Sequence, residues 1–212
     1  MATTEPWKPS SYSPSKTALL LLDYENAHVD MIQDPSRKDA VVNSTKRLLT
    51  TARKNNVAIV HCLMDTKMDP PATSKGTEKW LSMIKPALSA MPEMAVEYGG
   101  FAMTAAADSV GNGHESTSYR NPGYLSAFAA EGFLPLLRDK LGVGHLIMAG
   151  ITTSGPVLGT ALHATDLDFV VTVVEDASWD PSEHVHRALI DTVIPTLAWV
   201  SSTEEAVGYM GS

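Results

Sequence analysis

Two patterns of apolar and polar positions alternate along the chain. Continuous apolar runs occur at "TALLLLD" (17–23), "VAIVHCL" (57–63), "HLIMAG" (145–150) and "FVVTVVED" (169–176). Such runs mark strands buried on both faces. Between them lie segments with helical spacing. "DPSRKDAVVNSTKRLLTTARKNN" (34–56) places Val41, Val42, Leu48, Leu49 and Ala52 near one face. "TEKWLSMIKPAL" (77–88) predicts a short helix interrupted by Pro86, and "GFLPLLRDKLG" (132–142) an amphipathic helix stopped by Gly142. "PVLGTALHATDL" (156–167) predicts a helix with Pro156 in its first turn, and "DPSEHVHRALIDTVIP" (180–195) a capped helix. "LAWVSS" (197–202) reads as a last strand. Residues 91–123 read as irregular, with a strand near "STSYR".

Strands that alternate with helices predict an α/β fold, with helices on both faces of a mostly parallel sheet, as one domain over 17–212. Residues 1–16, rich in Pro and Ser, read as an extended arm on the surface. In such sheets the site lies beyond the carboxyl ends of the strands. Three polar segments reach that edge: Asp23-Tyr24-Glu25-Asn26, the loop near Arg120, and the turn 150–155.

Composition narrows the function classes. The formal charge is −8, and 16 Lys and Arg are mixed among 24 Asp and Glu. No basic stripe appears, so no nucleic-acid partner is expected. No apolar run approaches a membrane span, and "MATTEPWKPSSYSPSK" lacks the apolar centre of a signal peptide. The expectation is a cytoplasmic protein with no membrane partner. Cys62 is the single cysteine and reads as a buried structural thiol. His61 and Asp65 lack the spacing of metal ligands, and no metal or other cofactor is expected. His184 and His186 stand two apart, do not share a helical face, and read as surface residues. His114 reads as an exposed loop residue.

Three stretches, in order, resemble the isochorismatase-like hydrolases, also called the cysteine hydrolase superfamily. "LLLLDYENAHV" resembles the family's first strand, which ends in Asp-x-x-Asn. "YRNPGYLSAFAAEGFLPLLRDKLGVGHLIMAG" resembles the stretch that begins near its catalytic Lys. "GITTSGPVLGTALHATDLDFVVTVVEDA" resembles its signature turn, helix and following strand. The resemblance runs from about Lys16 onward. It implies a three-layer α/β/α, Rossmann-like fold, a small-molecule substrate and a homodimer or homotetramer.

The family's catalytic set is Asp, Lys and Cys. Asp23 matches the Asp, with Glu25 and Asn26 beside it in the same pattern. The Lys is absent at its usual distance before Ser126-Ala127-Phe128, and the nearest cation is Arg120. Arg can pair with a carboxylate but cannot shed a proton at neutral pH; the alternative is a solvated loop Arg. At the nucleophile position stands Pro156, which removes both the thiol and a backbone N–H. Ser154 is the nearby hydroxyl and a candidate surrogate nucleophile, without an evident base beside it. The turn itself, through Thr152, Thr153, Ser154 and the Gly155 N–H, could hold a substrate oxygen, or could simply satisfy its own backbone. Trp80, Phe101 and Tyr124 are candidate pocket walls, with core packing as the alternative.

The isochorismatase branch, by resemblance, lacks the Cys and hydrolyses a vinyl ether with Asp as general acid. The expected function is therefore hydrolysis of an enol-ether or similar bond by Asp23 acid/base catalysis. A lyase, cyclase or isomerase on the same fold, or a non-catalytic member that binds a metabolite or protein, are the alternatives.

Overall fold

β1 (Thr17–Leu22) is buried along its whole length, as a continuous apolar run requires. In the computed structural model, which describes residues 5–103 and 114–211, it pairs in parallel with β2 (Ala58–Met64) and β4 (His145–Gly150). β3 (Glu115–Arg120) extends the sheet beyond β2, and β5 (Val170–Val174) and β6 (Trp199–Ser201) beyond β4. The order is β3-β2-β1-β4-β5-β6, and every pairing is parallel. The chain winds from β1 to one edge, then returns to β4 and winds to the other. The crevice between β1 and β4 is thus the switch point where such sheets bind ligands.

The pleat of β1 divides the core. Ala18, Leu20 and Leu22 face one layer, with α4 (residues 133–140), α5 (Leu158–Asp166) and α6 (residues 183–193). Leu19 and Leu21 face the other, with α2 (Pro35–Lys54) and α7 (Thr203–Gly211). α2 begins cleanly because the Asp34 side chain accepts the Arg37 N–H at 2.8 Å and Pro35 follows it. A short α1 (Asn26–Val29) follows the loop after β1.

Three segments differ from the sequence expectation. Pro86 does not interrupt its helix: α3 spans residues 77–90. A wide turn at Trp80–Ile84, closed by the Lys85 N–H on the Trp80 carbonyl, precedes the proline and accommodates it. α7 was not anticipated. His186 is buried rather than on the surface. The arm, described from residue 5, docks on the body: the Tyr12 ring lies 5.7 Å from that of His145, and the Trp199 indole donates to the Trp7 carbonyl at 2.9 Å. No helix of the described residues is long and apolar enough to cross a membrane.

Gly150 closes the switch point. A Cβ there would lie 2.4 Å from the Leu22 carbonyl oxygen. Both contacting groups are backbone or strand core, so neither can step aside. Gly150→Ala is expected to lower unfolding free energy by about 1–3 kcal/mol, read from urea denaturation. Gly99→Ala, where the added carbon meets nothing within 4 Å, is the matched control.

Candidate functional site

Asp23 ends β1 with a left-handed backbone, φ 55°, which Asp tolerates better than most residues. Its N–H donates to the Cys62 carbonyl at 2.9 Å, which fixes the turn against β2. Arg120 ends β3, in register with Met64 of β2. Its guanidinium reaches over the end of β2 and closes on Asp23 as a fork, Nη1 to Oδ1 and Nη2 to Oδ2, each at 2.5 Å. Nε donates to the Tyr124 carbonyl at 2.9 Å, so the fork is aimed from behind. Both side chains are 5% exposed. On the side of Cys62, Ala127 and Ala130 the remaining space admits no water.

Burial raises the Asp23 pKa above the usual carboxylate range, and the Glu25 carboxylate adds to this; the Arg120 fork opposes both. Burial works against the Arg120 cation, but its bonds to Asp23 more than compensate and hold it charged. Glu25 is itself tied down. Oε1 accepts the Met64 N–H at 2.7 Å and Oε2 meets His28 Nδ1 at 3.0 Å. Asn26 turns away, its amide donating to the Glu93 carbonyl at 2.9 Å.

The turn after β4 bonds the polar groups of Thr153, Ser154 and Gly155 within the protein. The Thr153 N–H donates to the Trp179 carbonyl at 2.8 Å, the Ser154 N–H to Asp180 Oδ2 at 2.9 Å, and the Gly155 N–H to the Thr152 carbonyl at 3.2 Å. Pro156 is buried and has no N–H. The Thr153 hydroxyl meets His186 Nδ1 at 2.8 Å, and the Ser154 hydroxyl donates to Asp180 at 2.5 Å. Three of the N–H groups that could meet an oxyanion, those of Thr153, Ser154 and Gly155, are therefore engaged within the protein.

The remaining predicted residues fall elsewhere. Phe101 is fully buried in the α2-side core, edge-on to Tyr24 with ring centroids 5.0 Å apart. Trp80 is buried, its indole donating to Asp69 at 3.0 Å. Tyr124 is exposed and contributes its carbonyl to Arg120. His114 is exposed. Among the described residues no group of three or more His, Cys, Asp or Glu is placed to hold a metal ion.

Two polar groups escaped the sequence reading. Asp180 organises the turn, and the "DPS" before α6 was the available signal, read only as a helix cap. His61, fully buried on β2, lies between Glu97 at 2.6 Å and Glu115 at 2.9 Å, and Arg53 completes the chain on Glu115 at 2.7 Å. The strand pattern hides His61 because it occupies an apolar position.

The fold and the buried Asp–Arg pair at the switch point define an α/β protein of the doubly wound class with a site at the carboxyl edge. An isochorismatase domain model matches residues 17–106 and 122–205, and the chain belongs to that family. Among solved structures, it is similar to an isochorismatase family protein from Burkholderia thailandensis, at 18% identity and TM-score 0.72, covering 93% of this chain and 97% of that one. It is similar to a cysteine hydrolase from Pseudomonas syringae pv. phaseolicola, at 14% identity and TM-score 0.70, covering 94% of each. N-carbamoylsarcosine amidase from Thermoplasma acidophilum is also similar, at 16% identity and TM-score 0.62, covering 89% of this chain and 97% of that one. No curated protein sequence matches this chain.

Cys62 lies 2% exposed beside the ion pair, and burial pushes its thiol pKa up. A thiol this buried and protonated is a poor nucleophile. Iodoacetamide is expected to leave native protein unlabelled and to label it once urea unfolds it, as mass spectrometry would show; rapid native labelling would count against the placement.

His61 gives a second expectation. Burial opposes its cation, but the bonds to Glu115 and Glu97 outweigh this and raise its pKa to about 8. A pKa raised on folding adds stability that is complete below the unfolded value of about 6.5 and is lost as pH rises through about 8. The loss is up to about 2 kcal/mol. Urea denaturation at about pH 6 and about pH 9 should show it in wild type, and His61→Gln should remove most of the difference.

Proposed function

We propose that this isochorismatase-family chain is a hydrolase of a small organic substrate that works without a covalent thiol intermediate, with Asp23 as the proton-transfer group. The observation that carries the reading is the buried Asp23 carboxyl at the switch point, its pKa raised by burial and Glu25 while Arg120 counters the shift. A carboxyl pulled in both directions can change protonation within a catalytic cycle. The fork occupies one lone pair on each oxygen and leaves another free. With an enol ether, protonated Asp23 would place its proton on the vinyl carbon. Water then adds to the resulting oxocarbenium, and the hemiketal collapses with release of the alcohol. Arg120 steadies the carboxylate left behind and carries no proton itself. Acyl transfer is disfavoured, because Pro156 stands at the nucleophile position and the N–H groups of Thr153, Ser154 and Gly155 are engaged.

One observation favours a second reading, a non-catalytic metabolite-binding member: Arg120 holds both Asp23 oxygens. Turnover separates the two. A panel of small enol ethers and related acid-labile metabolites is assayed with wild type and Asp23→Asn. Turnover is expected to fall by about 10²–10⁴-fold in the variant. Asn leaves the buried guanidinium without a charge partner, at a stability cost of about 3–5 kcal/mol. The double variant Asp23→Asn/Arg120→Gln removes both charges, and it should be folded and equally inactive. Pro156→Cys should not yield an efficient amidase. Substrates that stabilise the wild type without being consumed would support the binding reading instead.

A further inference from the structure

A groove of about 650 Å³ opens at the carboxyl ends of β2 and β3, on the far side of the Glu25 loop from β4. That volume is in the range of small-molecule sites. Met64 and Tyr119, from the two strands, form one wall. Leu88 of α3 and Val96, from the segment after it, also line the groove, and Lys67 and Lys85 stand among the lining residues. Val96 and Tyr119 are each 57% exposed and lie together in this lining, so the groove offers contiguous apolar surface.

The two ammonium groups differ. Lys85 is neutralised by Asp69 at 2.7 Å, and the same carboxylate holds the Trp80 indole. Lys67 makes no ion pair among the described residues. The carboxylate of Asp65, also in the lining, is turned back on the chain and accepts the Lys67 backbone N–H at 3.0 Å. In a protein of formal charge −8, Lys67 is an ammonium without a salt bridge among the described residues, beside apolar and aromatic lining.

We propose that this groove is a binding site for a small amphiphilic anion, an aromatic or aliphatic carboxylate whose apolar body lies between Val96 and Tyr119 while its charge meets Lys67. The groove is separate from Asp23 in its chemistry, and the proposal does not depend on Asp23 being catalytic.

Titration calorimetry with naphthylacetate, and with naphthylethanol as the neutral counterpart, tests it on the full chain. Naphthylacetate should bind saturably and about tenfold more tightly than the alcohol, the worth of one charged contact. Lys67→Gln should erase that preference while leaving the alcohol's affinity unchanged. Val96→Asp, an exposed position that does not endanger the fold, should abolish binding of both. Asp23→Asn should leave both affinities as they are, so failure here is distinct from failure of the catalytic reading. No saturable binding at about 1 mM, equal affinity for acid and alcohol, or binding lost in Asp23→Asn but not in Val96→Asp would overturn the assignment.

Discussion

The arrangement at the carboxyl edge depends on one buried ion pair. Asp23 and Arg120 leave β1 and β3, which are not neighbours in the sheet, and meet over the end of β2. Burying two charges costs several kcal/mol for each, so such a pair persists only with good geometry and every remaining donor satisfied. The geometric condition is met: the fork is bidentate, and Nε has the Tyr124 carbonyl, so three of the five guanidinium donors are placed on oxygen. The planar guanidinium supplies this in a way an ammonium could not, because it offers two parallel donors to the carboxylate and a third behind. The left-handed backbone of Asp23 is held from both ends, by the Cys62 carbonyl and by the fork.

That pair also explains why the turn after β4 can afford to be closed. In a thiol hydrolase the turn must present free N–H groups at the nucleophile. Here those of Thr153, Ser154 and Gly155 are bonded to Trp179, Asp180 and Thr152, and Pro156 supplies none. Asp180 does most of this, accepting the Ser154 N–H and hydroxyl with Oδ2 and the Ser182 N–H ahead of α6 with Oδ1. The turn is a structural clasp between β4 and α6.

The layering and the parallel sheet were legible in the sequence because buried parallel strands leave an unambiguous signature. "TALLLLD" and "HLIMAG" could only be interior strands, and both end in residues that matter, Asp23 and Gly150. α7 was missed because it is short and contains Gly208 and Gly211, yet its start was written plainly. Ser202 and Glu205 form a reciprocal cap, the Glu205 N–H donating to the Ser202 hydroxyl at 3.3 Å and the Ser202 N–H to Glu205 at 2.8 Å. His61 and His186 were misjudged or passed over for a different reason. A histidine buried by long-range partners, Glu97 and Glu115 in one case and Thr153 in the other, carries no local sequence pattern. The loop near Arg120 is legible as a polar segment at the edge and Arg120 as the cation nearest the family Lys, but nothing local to "STSYR" indicates that its side chain crosses β2.

The segment that follows α3 joins the two candidate binding regions into one body. The Asn26 N–H donates to the Val96 carbonyl, the Asn26 amide to that of Glu93, and the Tyr98 N–H to that of Tyr24. Glu25 and Glu97 pair as an isolated antiparallel bridge. The loop that carries Asp23 is thus stitched, residue by residue, to the segment that forms one wall of the groove. Below the stitch, His61 anchors Glu97 from the sheet. A rearrangement of residues 92–98 would have to break these bonds together. This is also why Asn26, expected to face substrate, faces Glu93 instead: its amide holds the segment whose placement sets the height of the site's rim.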